Sequence, residues 1–140
     1  MKISSVYPVI MTDKVREVAD FYISIFNFET TFNSDWYISL VLKQEDKQFE
    51  LAILDYQHET IPEVYRKKAG GFLINLEVEN AMELYEALVK ENKVSIVKNL
   101  KDEDFGQRHF IITDPAGILI DVIENIPPTE EFLKMYQLED

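Results

Sequence analysis

Apolar and polar positions alternate in short runs along this chain, and two stretches of helical spacing interrupt them. Ile3 to Met11 reads as a strand, with Pro8 suited to an edge, an end or a bulge because it lacks an N–H for a ladder. In the segment that follows, Val15, Val18, Phe21, Tyr22, Ile25 and Phe26 recur at helical spacing and form one apolar face. Thr12 or Asp13 is placed to cap this helix by accepting a bond from a first-turn N–H. Three strand-like runs come next, Phe28 to Asn33, Trp36 to Lys43 and Gln48 to Leu54, parted by polar turns at 33–35 and 45–47. Residues 56–70 read as a linker in which Pro62 opens a short helix and Gly70-Gly71 ends it.

The pattern then restarts. Phe72 to Val78 reads as a strand, and Asn80 caps a helix whose apolar face is Met82, Tyr85, Leu88 and Val89. Val94 to Asn99, Gln107 to Thr113 and Ile118 to Ile123 supply three more strands. Pro127-Pro128 breaks the chain, and Thr129 with Glu130 and Glu131 opens a C-terminal helix that ends near Gln137. Each half is strand, helix, three strands, so a βαβββ unit is written twice. The expected organisation is one domain over 1–126, with modules at about 1–55 and 71–126, and a helical extension over 127–140.

Composition narrows the chemistry. The chain of 140 residues is 46% apolar and has no cysteine, so it can bury a full core without disulfides, and thiolate chemistry is excluded. The N-terminus lacks the apolar stretch of a signal peptide, and no run is long enough to span a bilayer, so a soluble cytoplasmic protein is expected. The net charge of −12 repels nucleic acid and anionic membranes. It is compatible with solubility alone, or with an acidic groove for a basic ligand. No G-x-S-x-G elbow and no phosphate-cradling glycine loop occurs. His109 beside Asp104 or Asp114 forms an acid–base pair only if the fold joins them. The segment Asp114-Pro115-Ala116-Gly117 is a sharp turn, since proline presets φ and glycine accepts a positive one.

Three stretches together resemble the vicinal oxygen chelate superfamily, which holds glyoxalase I, the bleomycin resistance proteins and the extradiol dioxygenases. They are VIMTDKVREVADFYISIFNFE in the first half, FELAIL in the fourth strand and ITDPAGILIDVIE at the closing hairpin. The resemblance implies an α+β fold in which two βαβββ modules form an open, incomplete barrel with the helices outside, a ligand pocket in the concave face, and a homodimer. In metal-dependent relatives the ion is held from the first, fourth, fifth and eighth strands, by two histidines and two acids in glyoxalase I. Carried over singly, these positions fall on Val6, Glu50, Leu73 and Asp121. Both carboxylates persist and both imidazoles are absent, and a shift by one residue would substitute Tyr7 or Phe72. Zinc, nickel and iron favour nitrogen donors, so no metal site and no cofactor are expected.

What remains resembles the metal-free, bleomycin-resistance-like branch, whose small acidic dimers sequester a cationic aromatic drug. The implied ligand-binding set is Glu50, Asp121, Trp36, Tyr37, Ala52, Leu73, Asn75 and His109, and the expected partner is a small cationic or aromatic molecule. Two bland readings stand beside this one: Trp36 packs against the first helix, and Glu50 and Asp121 sit on a solvated strand face. Two other functions are compatible with the residues. One is a glyoxalase-like lyase or dioxygenase with an atypical site on Glu50 and Asp121. The other is a regulatory or scaffold module whose dimer surface is the function.

Overall fold

The computed structural model describes residues 1–136, and the chain forms two compact units that meet in sequence at Gly70-Gly71. The first contains β1 (Val9–Thr12), α1 (Val15–Phe26), β2 (Glu29–Asn33), β3 (Tyr37–Gln44) and β4 (Lys47–Asp55). The second contains β5 (Leu73–Glu77), α2 (Ala81–Glu91), β6 (Ser95–Glu103), β7 (Gln107–Thr113), β8 (Leu119–Asn125) and α3 (Glu130–Tyr136). The four-stranded sheets run β1-β4-β3-β2 and β5-β8-β7-β6. In each, the first strand lies parallel to the fourth and the other pairs are antiparallel. The α+β class and the doubled βαβββ order are therefore as the sequence implied, and neither sheet closes on itself as a barrel. No helix among the described residues is long and apolar enough to cross a membrane.

Each unit has its own core. In the first, Ile10, Ile38 and Ile53 are register neighbours with 0% exposure, and Val18, Ala19 and Tyr22 are buried on α1. α1 stops where Asn27 turns left-handed at φ 64°, a conformation asparagine tolerates. The Phe28 N–H then bonds back to the Tyr22 carbonyl at 3.2 Å, and the two rings meet edge-on at 5.8 Å. In the second, Phe110, Ile112, Ile120 and Val122 form the sheet face beneath α2, and Tyr85 packs on Phe110 at a ring separation of 5.2 Å. Asn80 caps α2 as expected, accepting the Glu83 N–H at 3.0 Å.

Several expectations need correction. The first strand begins at Val9 rather than Ile3, and Ile3 and Val6 are exposed. Pro8 accepts the Ala52 N–H through its carbonyl but has no N–H to return, so the parallel ladder stops there. Neither Thr12 nor Asp13 caps α1: the cap position is Lys14, with no side-chain bond. The Thr12 hydroxyl instead accepts the Lys14 N–H, and Asp13 pairs with Lys68 at 3.2 Å. The buried side of α2 is Ala81 and Leu88, with Met82 and Val89 exposed. Its rotation is fixed by the Asn80 cap and by Glu124, which accepts the Ala81 N–H at 3.0 Å. Phe49, which strand alternation puts on the same face of β4 as the buried Leu51 and Ile53, is nonetheless 49% exposed. β6 runs on to Glu103, four residues past the expected end at Asn99. α3 starts after Thr129, whose hydroxyl accepts the Phe132 N–H, and the expected end at Gln137 lies outside the described residues.

Candidate functional site

The polar centre of the second unit follows from strand register. The turn Asp114–Gly117 closes the β7–β8 hairpin. Asp114 accepts the Ala116 and Ile118 N–H groups at 2.8 and 3.0 Å, and Gly117 sits at φ 83°. This sets Thr113 opposite Leu119, Ile111 opposite Asp121 and His109 opposite Ile123. On the other side of β7, Lys101 lies opposite His109 and Glu103 opposite Gln107. Opposed residues share a face, and diagonal neighbours on adjacent strands lie within reach of long side chains. His109 is therefore diagonal to Asp121 on one flank and to Glu103 on the other, on the face turned away from α2.

The side chains meet as the register allows. His109 Nδ1 lies 2.7 Å from Asp121 Oδ1, and Nε2 lies 2.8 Å from Glu103 Oε2. Lys98 and Lys101 reach Glu103 at 3.2 and 3.3 Å. Ionised carboxylates only accept, so two of them flanking one ring favour the imidazolium, in which both ring nitrogens donate. His109 is buried. Burial works against its charge, but the bonds to Glu103 and Asp121 and their negative charges prevail and raise its pKa above the usual 6.5. The same bond from His109, with those from Lys98 and Lys101, holds Glu103 down to about 2 despite some desolvation. Two lysines and an imidazolium thus face two carboxylates, so this patch is not acidic although the whole chain is.

The register of the first sheet groups Glu50, Ala52, Tyr37, Ser39 and Phe32 on one face. Phe32 and Tyr37 meet edge-on at 6.2 Å and the Tyr7 phenol bonds that of Tyr37. Burial raises the Tyr37 pKa, with Tyr7 adding to the shift and Ser39 opposing it. The Ser5 hydroxyl donates to the Glu50 carboxylate. An open groove lies between the N-terminal segment and the start of β4, lined by Ser4, Ser5, Val6, Gln48, Phe49 and Glu50.

The expected ligand-binding residues distribute as follows. Glu50, Ala52 and Tyr37 share a face of the first sheet, and Leu73, Asn75, His109 and Asp121 share a face of the second. Trp36 is a correction. It lies in the bend before β3, fixed by Ser34, and stacks on His58 at 3.7 Å and 8°. Its indole covers His58 in the loop that follows β4 and also lies 5.7 Å from the Tyr37 ring. His109 pairs with neither Asp104 nor Asp114 but with Glu103 and Asp121. Glu103 is the member that sequence reasoning missed.

A family model described as the Glyoxalase/Bleomycin resistance protein/Dioxygenase superfamily matches residues 4–122. The chain belongs to this superfamily. Solved structures agree on the fold. A superfamily member from Sphaerobacter thermophilus DSM 20745 superposes with a TM-score of 0.68 at 23% identity, over 88% of this chain and 98% of that one. A lactoylglutathione lyase from Agrobacterium tumefaciens gives 0.67 at 16% identity, over 99% and 100%. A glyoxalase/bleomycin resistance protein/dioxygenase from Nocardioides gives 0.69 at 12% identity, over 92% and 88%. No curated protein matches the chain.

The residues do not fit the metal that many superfamily members carry. Val6, 85% exposed, and Leu73 offer only hydrocarbon where imidazole donors would stand. Asp121 Oδ1 already accepts from His109, and Glu50 accepts from Ser5. Glu103 and Asp121 contact opposite nitrogens of one ring and do not converge on a point. Among the described residues, no group of three or more histidine or acidic side chains could hold an ion.

Proposed function

We propose that this superfamily member binds a small aromatic compound without a metal ion and releases it unaltered. The observation that carries this reading is the face of the first sheet, where Tyr7, Phe32 and Tyr37 form one aromatic cluster in the register that also presents Glu50. Tyr7 and Phe32 are 42% and 51% exposed. Aromatic faces so placed offer large contact area to a planar ring at little conformational cost. Glu50 lies further along the same sheet face, opposite Val41, and an acid there favours a positively charged ligand over a negative one. Asp121 does not add to that preference, because His109 already answers its charge. The donor set argues for binding rather than metal-assisted turnover, since Val6 and Leu73 offer a Lewis acid no nitrogen or oxygen donor.

Titration of EDTA-treated protein with neutral and cationic aromatic compounds, followed by tyrosine fluorescence and by ligand recovery, tests the reading. The expected result is saturable quenching, weakened at least tenfold by Phe32→Leu or Tyr37→Leu, with the ligand recovered intact. Binding that requires added divalent ion, or conversion of the ligand, overturns it.

A further inference from the structure

The ion network on the second sheet leaves one pair of polar groups open beside it. Asp121 uses Oδ1 for His109, and its Oδ2 makes no hydrogen bond to the described residues. No buried side-chain nitrogen or oxygen among the described residues lacks a partner, so Oδ2 is open rather than sealed. Asn75 lies directly opposite Asp121 on β5, is exposed, and has no side-chain hydrogen bond within the described chain. Two positions earlier on the same strands, Leu73 lies opposite Leu119 on the same face, and Ile111 lies opposite Asp121 on β7. A fixed acceptor and a free carboxamide therefore stand side by side, next to an apolar platform.

The arrangement is held more firmly than a solvated strand face needs. Asp121 is fixed by His109, His109 by Glu103, and Glu103 by Lys98 and Lys101. Locking a recognition group through a second rank of hydrogen bonds is how binding sites gain precision. The open edge consists of a carboxylate oxygen that only accepts and an amide that can donate. Its complement is a ligand edge with an N–H beside a C=O, as in a lactam or ureide. An isolated cation would engage Asp121 Oδ2 but make no use of the Asn75 amide N–H, which would stay with water.

We propose that Asn75 and Asp121 form a recognition site for a planar cis-amide edge, with the ligand N–H donating to Asp121 Oδ2 and its carbonyl accepting from Asn75 Nδ2. Leu73, Leu119 and Ile111 take the apolar body of the ligand. His109 and Glu103 are positioning residues that hold Asp121 in place. The inference stands apart from the aromatic reading of the first sheet, because it uses only residues of the second.

The test is a ¹H–¹⁵N correlation titration of the full chain with 2-pyridone, using N-methyl-2-pyridone as the matched probe without the N–H. The expected result is saturation with a Kd on the order of 1 mM for 2-pyridone, with shifts concentrated on the Asn75 side-chain amide and the Asn75 and Asp121 backbone amides. N-methyl-2-pyridone binds at least tenfold more weakly, and Asn75→Leu, an exposed change on a strand, loses at least tenfold for 2-pyridone alone. His109→Gln weakens 2-pyridone binding without changing the preference for the N–H probe. Phe32→Leu leaves the shifts at Asn75 and Asp121 unchanged for both probes, whatever it does to shifts around Tyr7 and Tyr37, which separates this site from the aromatic cluster. Equal binding of the two probes, unaltered binding by Asn75→Leu, or shifts confined to other residues overturns the proposal.

Discussion

Replacing His109 with leucine removes the one cation that bonds Asp121, and its effect can be worked from the geometry. The lost His109–Asp121 contact is a charge-assisted hydrogen bond of 2.7 Å with both side chains mostly covered, at 7% and 13% exposure. Such bonds contribute about 1.5–3 kcal/mol, and removing one partner strands the other. Glu103 keeps Lys98 and Lys101, so the loss falls chiefly on Asp121. The expected destabilisation is about 2–3 kcal/mol near pH 5.5, or about 4–10 °C in Tm for a chain of this size. The pH dependence identifies the cause. A raised histidine pKa stabilises the fold fully below its unfolded value of 6.5, and that contribution is lost as pH rises through the folded value. The lowered Glu103 pKa contributes fully above 4.5 and is lost as pH falls through about 2. The gap between wild type and His109→Leu should therefore be widest between these two unfolded values and narrow by about pH 9. Urea unfolding of both proteins at the two pH values provides the measurement. A gap that is absent, or the same at both, would refute the reasoning.

Gly106→Ala should destabilise by about 2–3 kcal/mol, because φ is +106° and an added Cβ would meet the Ile126 carbonyl at 2.8 Å and Pro128 at 3.2 Å. Faster amide exchange at Ile126, whose N–H bonds the Gly106 carbonyl, would report it. Asp114→Ala removes a buried acceptor that two backbone N–H groups of the turn share. It should cost about 2–4 kcal/mol, with exchange rising at Ala116 and Ile118 before the rest of the sheet. Asn80→Ala should cost about 1 kcal/mol through loss of the α2 cap, seen as a lower Tm that Asn80→Ser largely restores.

The doubled module was legible because its strands are coded by apolar alternation and its helices by spacing, and both signals are local. Boundaries failed where a neighbour decided them. Pro8 ended a ladder that the apolar pattern alone would have extended to Ile3. The end of β6, Asn99 to Glu103, carries mostly polar side chains and pairs through its backbone, so hydrophobic pattern could not see it. Glu103 was hidden for that reason. The Asp121–His109 contact, by contrast, was within reach: counting outward from the Asp114–Gly117 turn places the two diagonally on one face. The cation of the chain itself that lies one diagonal from Asp121 is His109. Trp36 was misplaced by one residue, because Ser34 tightens the bend and turns the indole onto His58.

The account turns on an internal imidazolium at the eighth-strand acid and on the proposal that the protein works without a metal there. Long-range ¹H–¹⁵N spectra of the His109 ring, recorded near neutral pH on EDTA-treated protein and again with excess zinc or magnesium, test it directly. Protons on both ring nitrogens, unchanged by either metal, are the predicted result. A ring nitrogen without a proton in the treated protein, or one whose proton is displaced by the metal, would contradict the account.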